Sequence, residues 1–172
     1  MQEEVKIPKE RIAVLIGEKG NEKKRIQKRT NTTLMINSND GIVLIEGKDS
    51  VDVMVAKDIV RAVGRGFNPD IALALSNEEN NFELINIHDF VGKSKNQEGR
   101  VKARIIGTDG KARKNIENLT NTSIVVFGKT VGIIGKIDDV DLARRALENL
   151  INGSPHMKVY KWIELQKTGK EV

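Results

Sequence analysis

The chain has 172 residues, 29 Lys and Arg against 24 Asp and Glu, a formal net charge of +5, and 38% hydrophobic residues. That apolar content suits one domain or two small ones and is too high for general disorder. The absence of cysteine excludes disulfide frameworks, thiol nucleophiles and cysteine-held zinc, and no apolar run approaches the ~20 residues of a membrane helix. His88 and His156 stand far apart with no ligand spacing around them, so neither a metal nor a cofactor is expected. The first six residues show neither the basic nor the apolar region of a leader, and the expectation is a soluble cytoplasmic protein without membrane contact.

In chain order, an alternating run at 5–7 predicts a first strand, and 10–16 a short helix closed by Gly17-Glu18-Lys19-Gly20. A second helix is expected at 21–30, with Asn31 where a left-handed C-terminal residue is wanted. Strands at 33–36 and 42–45 flank Asn37-Ser-Asn-Asp-Gly41, a hairpin signal, and an amphipathic helix at 50–63 follows. Asn68-Pro69 opens a short helix through Leu75, and a polar linker covers 76–81. The order then starts again: a strand at 82–87, a helix at 97–106 and Gly107-Thr108-Asp109-Gly110. A helix at 111–120 before Asn121, strands at 123–127 and 131–134, and a helix at 140–151 complete it. The tail after Pro155, with Tyr160 and Trp162 as packing anchors, reads as a short helix or an extended arm.

The two halves are copies. Residues 13–36 align with 103–126 without gaps at an offset of 90, with nine of 24 positions identical. Val43 to Lys48 then matches Val131 to Lys136 at a shorter offset. The division is therefore a first module at 1–66, a helical linker at 67–81, a second module at 82–153 and a tail at 154–172. Charge follows the repeat. Residues 9–29 carry +5 and residues 93–114 carry +6, which leaves −6 on the rest of the chain. Two basic clusters on an otherwise acidic protein point to a polyanion.

Each Gly-x-x-Gly lies between two helical stretches. A glycine lacks Cβ, so the backbone there can approach phosphates, and the free N–H groups that open the next helix attract anions. No Gly-Lys-Ser/Thr follows, and the glycines do not follow a strand, so neither a nucleotide-hydrolysing loop nor a dinucleotide fingerprint fits. The residues expected to touch nucleic acid in the first module are Ile16, Gly17, Glu18, Lys19, Gly20, Lys23, Lys24, Ile26 and Ile36. In the second they are Lys102, Arg104, Ile106, Gly107, Thr108, Asp109, Gly110, Lys111, Arg113, Lys114 and Ile116. The aliphatic members would form a groove for bases, because the chain offers few aromatic side chains for stacking.

Over some 140 residues the sequence resembles the KH domain, in type I order, twice. The resemblance implies an α+β fold in which each module has the order β-α-α-β-β-α, a three-stranded antiparallel sheet with helices on one face. Where the KH pattern usually has isoleucine three residues after the second glycine, this chain has Lys23 and Arg113, which suggests extra backbone contacts. Asp109 also departs from it, placing a carboxylate in a loop meant for phosphate. The match narrows further. Gly64-Arg-Gly-Phe67, Ile106 to Lys111 with Ile116 to Thr120, and Gly153-Ser-Pro-His156 with Val159-Tyr160 are similar to the archaeal small-subunit assembly factors of the Dim-two, or partner-of-Nob-one, family.

That resemblance implies single-stranded RNA binding near the 3′ end of 16S rRNA and association with the Nob-type endonuclease and the pre-small-subunit particle. A nucleic-acid enzyme would need clustered carboxylates for metals or a poised histidine, so no enzymatic activity is expected. A monomer is expected. A KH-type adaptor for mRNA or RNA decay, and a protein scaffold with degenerate KH modules, are the alternative readings. The acidic cluster Asp138-Asp139-Asp141 reads as a helix opening rather than a metal site. Residues 100–115 carry +5 against +2 for 10–25, so the second loop is expected to carry most of the affinity.

Overall fold

A computed structural model describes residues 1–169. Met1–Phe82 and the chain from Glu83 onward form two compact units. In the first, β1 (Gln2–Lys6) pairs antiparallel with β3 (Ile42–Glu46), which pairs antiparallel with β2 (Thr33–Asn37). Val5 lies opposite Val43 and Leu34 opposite Ile45, and all four are buried, so one face of the sheet supplies core. Helices α1 (Ile12–Ile16), α2 (Asn21–Thr30) and α3 (Ser50–Gly64) supply the other side. Asp49 caps α3 by accepting a 2.7 Å bond from the Val51 N–H, and Val53, Ala56, Ile59, Val60 and Val63 recur at helical spacing on its buried stripe. The Asn68 side chain caps α4 (Pro69–Ala72), whose tight continuation over Leu73–Ser76 packs on α2 and α3.

The second unit repeats the plan with sheet order β4 (Asn80–Asn86), β6 (Thr130–Lys136), β5 (Ser123–Phe127). Its helices are α5 (His88–Val91), α6 (Lys95–Ile106), α7 (Lys111–Thr120), α8 (Ile137–Ile151) and α9 (His156–Thr168). Ile124 opposite Ile133 and Val126 opposite Val131 set its register. Ile87, Ile105, Ile116, Ile133, Val140, Leu147 and Leu150 share one core, to which α9 adds Val159 and Ile163.

The change of repeat offset has a simple origin. Residues 38–41 join β2 to β3, whereas only Gly128 and Lys129 join β5 to β6, so the second hairpin is two residues shorter. Asn37 and Asp40 brace the longer turn by accepting bonds from the Asn39 and Ile42 N–H groups.

Both post-loop helices begin and end where periodicity and Asn place them. Other ends move. Helix α6 starts two residues before the expected 97, because Ser94 caps it. Helix α8 starts three residues before the expected 140, with Asp138 and Asp139 in its first turn. Helix α5 is not expected from the sequence, and the tail proves to be a 13-residue helix.

Candidate nucleic-acid interface

The two glycine loops have nearly the same backbone. Gly17 stands at φ 75, ψ 174 and Gly107 at φ 74, ψ 178; Gly20 at φ 75, ψ 15 and Gly110 at φ 75, ψ 13. The two glycines of each pair do different work. A Cβ on Gly17 would stand 2.5 Å from the Glu22 side chain, and one on Gly107 2.6 Å from the Ala112 Cβ. The first glycine therefore lets the following helix close onto the loop. A Cβ on Gly20 would meet nothing within 4 Å, so the second glycine presents open backbone at the start of α2, as Gly110 does for α7. Neither helix has a side chain capping its N-terminus, although its first N–H is taken within the loop, Asn21 donating to the Glu18 carbonyl and Lys111 to the Thr108 carbonyl.

Between the glycines, Lys19 (φ 54) and Asp109 (φ 55) are left-handed. Asp enters that region more readily than most residues, which gives Asp109 a conformational role in a loop where its charge is unfavourable. Asn31 and Asn121 take the left-handed position after α2 and α7, as the sequence predicts. Flanking them, the Thr30 hydroxyl bonds the Ile26 carbonyl at 2.7 Å and the Thr32 hydroxyl at 2.7 Å; Thr120 and Thr122 repeat this with Ile116. The identical Thr-Asn-Thr segments are thus helix-end fittings.

Several expected contacts need correction. Ile26 and Ile116 are 0% exposed, each the buried anchor of its post-loop helix, so they belong to the cores and not to a surface groove. Arg104 turns away from its loop: Nε donates to the Leu150 carbonyl at 3.1 Å and Nη2 to the Ser154 carbonyl, closing the end of α8. Arg11 does the same for α3, donating to the Val63 and Phe67 carbonyls. Arg113 is held by Glu117 at 2.6 Å and the Ile124 carbonyl at 3.3 Å, so it braces β5 instead of adding a phosphate contact. Lys102 stands 3.9 Å from Glu98.

Other candidates remain open to solvent. Glu18, Lys19, Lys24, Thr108, Asp109, Lys111 and Lys114 are exposed, and Lys23 is half-buried. The four exposed lysines of that set make no ion pair among the described residues. Ile16 and Ile36 are half-buried and Ile106 is 36% exposed, so aliphatic surface is available next to each loop. Val126, half-buried on β5, occupies the place of Ile36; the repeat offset of 90 alone would have found it.

The two cradles differ in charge. In α2 the first turn holds Glu22, which binds Arg25 at 2.9 Å, and Arg25 also binds Asp70 at 2.8 Å. The hydrogen bond to Asp70, helped by Glu22, pushes the Arg25 guanidinium up, against a smaller opposing effect of desolvation. In α7 no acidic residue stands in the first turn, and Ala112 replaces Glu22. Among the described residues no group of three or more His, Asp or Glu could hold a metal ion, and no helix is long and apolar enough to cross a membrane.

Two β-α-α-β-β-α units, each with a Gly-x-x-Gly between its first two helices, define a tandem KH protein of type I. The model of the eukaryotic-type KH domain (type I) matches residues 81–168, and the general KH domain model matches residues 2–62. The chain is 47% identical over 167 residues to a KH domain-containing protein of Methanocaldococcus jannaschii, covering 95% of this chain and 73% of that one. It is 39% identical over 116 residues to the RNA-binding protein pno1 of Drosophila melanogaster, 67% of this chain and 48% of that one. A chain in the crystal structure of the a/eIF2alpha–aDim2p–rRNA complex from Pyrococcus horikoshii OT3 matches with a TM-score of 0.91 and 46% identity, over 98% of this chain and 95% of that one. The chain belongs to the tandem KH-domain family of Dim2 and Pno1. It spans about half the length of its fly relative.

Proposed function

We propose that this protein binds single-stranded RNA and serves as a small-subunit assembly factor acting near the 3′ end of 16S rRNA. The observation that carries this reading is the pair of open glycine loops, each leading into an uncapped helix N-terminus beside unpaired lysines. A KH groove holds about four nucleotides by their backbone, which such a loop suits. The rRNA complex of the Pyrococcus relative supports the choice of RNA. The RNA-binding modules are assigned to 1–66 and 82–153, with 67–81 as connector and 154–172 as appendage. In each, contact falls to the loop itself, to Ile16, Lys23, Lys24 and Ile36 in the first, and to Lys102, Ile106, Lys111, Lys114 and Val126 in the second.

In this reading the protein is a cytoplasmic monomer with no cleavage activity of its own. It presents the rRNA end to a Nob-type endonuclease within the pre-small-subunit particle. The test is fluorescence anisotropy with labelled RNA of the 16S 3′ end, a scrambled RNA and a duplex of equal length, at two salt concentrations. Preference for the single-stranded 16S sequence, with affinity falling as salt rises, is expected. Equal affinity for duplex and single strand would remove the reading; equal affinity for the scrambled strand would favour a general RNA adaptor.

A further inference from the structure

A cleft of ≈ 500 Å³ opens beside the second glycine loop, walled by α6, the loop, the first turn of α7, and α9. None of its lining comes from the sheet; it shares Gly107, Thr108 and Lys111 with the groove bounded by β5 but adds His156 and Tyr160 of α9. Its volume falls within the about 300–1,000 Å³ of small-ligand sites.

The cleft is braced by bonds that use the chain far from the loop. The Arg104 guanidinium holds the Ser154 carbonyl, and His156 Nε2 lies 2.7 Å from the Arg104 carbonyl oxygen, pinning the first turn of α9 against α6. Val159 and Ile163 are buried, which fixes the rotation of α9 and places Tyr160 in the wall. The Tyr160 and His156 rings are 6.3 Å apart and inclined by 58°, so they are not stacked on each other. At the other wall, Thr108 and Lys111 are exposed, Lys111 makes no ion pair among the described residues, and no carboxylate stands in the first turn of α7. One wall thus offers an aromatic surface and the other a cation and a hydroxyl. A base with its phosphate is the ligand that uses both.

The first module shows what the absence of such a site looks like. Glu18, Asn21 and Glu22 stand where the second has Thr108, Lys111 and Ala112. Its flank is occupied by α4, whose Asp70 is bound to Arg25 alongside Glu22. A phosphate there would meet Glu18 and Glu22, whereas beside the second loop it meets Asp109 alone, at the position Lys19 holds in the first.

We propose that this cleft takes one further unpaired nucleotide of the bound RNA, flanking those in the second groove, with its base against Tyr160 and its phosphate at Lys111 and Thr108. The proposal rests on the reading of the protein as a single-strand binder. Tyr160 is the only tyrosine of the chain, so 3-fluorotyrosine incorporation yields one fluorine resonance to follow. The full chain is titrated with a four-nucleotide RNA, with the same RNA extended by two nucleotides at either end, and with a nucleoside monophosphate and inorganic phosphate alone. One extended RNA should shift the Tyr160 resonance and bind more tightly than the four-nucleotide RNA, by about 5- to 100-fold, the value of one stacked base. The Tyr160→Leu variant should lose that gain and keep the short-RNA affinity. Extended and short RNAs of equal affinity, with a silent resonance, would overturn this proposal and leave the function reading standing. A shift produced as strongly by the free monophosphate would reassign the cleft to a free nucleotide. No binding of any RNA would overturn both readings together.

Discussion

Gly107 packs so closely on Ala112 that a Cβ at position 107 would stand 2.6 Å from the Ala112 Cβ and 2.8 Å from its backbone nitrogen. Its backbone (φ 74, ψ 178) also lies in a region that only glycine populates. Gly110, three residues on, is left-handed, and a Cβ on it would stand no closer than 3.8 Å to its nearest neighbour, the Arg113 guanidinium. Gly107→Ala should therefore lower the unfolding free energy by about 3 kcal/mol or more, through strain and clash together. Gly110→Ala should cost about 1–2 kcal/mol, the left-handed penalty alone. Urea denaturation of both variants checks this; equal costs would show that the two glycines are not specialised.

Replacement of the second glycine by Asp adds a charge where phosphate would approach, without a clash. Both Gly20→Asp and Gly110→Asp should remain folded by circular dichroism, since Asp tolerates the left-handed region. Gly110→Asp should weaken RNA binding by about tenfold or more, and by more than Gly20→Asp. The reason is the charge around the second loop, where Ala112 replaces Glu22. A Gly20→Asp cost as large or larger would reverse the ranking of the modules.

Two basic residues near the same loop should separate cleanly. Lys111→Ala removes an exposed, unpaired cation; affinity should fall for every RNA sequence, the salt slope should drop by about 1, and stability should stay within about 0.5 kcal/mol. Arg104→Met takes the guanidinium donor from the Ser154 carbonyl and leaves the Leu150 carbonyl with the Gly153 N–H, so stability should fall by about 1–3 kcal/mol while the salt slope is unchanged. Salt-dependent anisotropy and denaturation on the same samples distinguish them. A lowered salt slope in Arg104→Met would return that residue to the interface.

The buried threonine pair has a direction. Thr120 has one hydroxyl proton and gives it to the Ile116 carbonyl at 2.6 Å, so the Thr122 hydroxyl donates to Thr120 at 2.8 Å. Thr120→Val strands a buried donor and should cost about 2 kcal/mol, whereas Thr122→Val strands only an acceptor lone pair and should cost about 1. The double variant should cost less than the two singles together, as a double-mutant cycle on unfolding free energies would read. Additive costs would mean that the hydroxyls do not form this chain.

The sequence alone determined the two modules, their element order apart from α5, both glycine loops and the left-handed Asn31 and Asn121. Each of these depends on local backbone preference or on periodicity within about a dozen residues, and the repeat states it twice. Tertiary structure decided which of the basic residues are free. Arg104 and Arg113 look from spacing like phosphate ligands, yet one is engaged by carbonyls 46 and 50 residues away and the other by Glu117 and the edge of β5. Ile26 and Ile116 follow the same rule, since facing a core or a groove depends on what packs against the helix. The cleft under α9 was illegible for that reason as well. Its two walls lie about fifty residues apart in the chain, and the bonds of Arg104 with Ser154 and His156, together with the burial of Val159 and Ile163, bring them together.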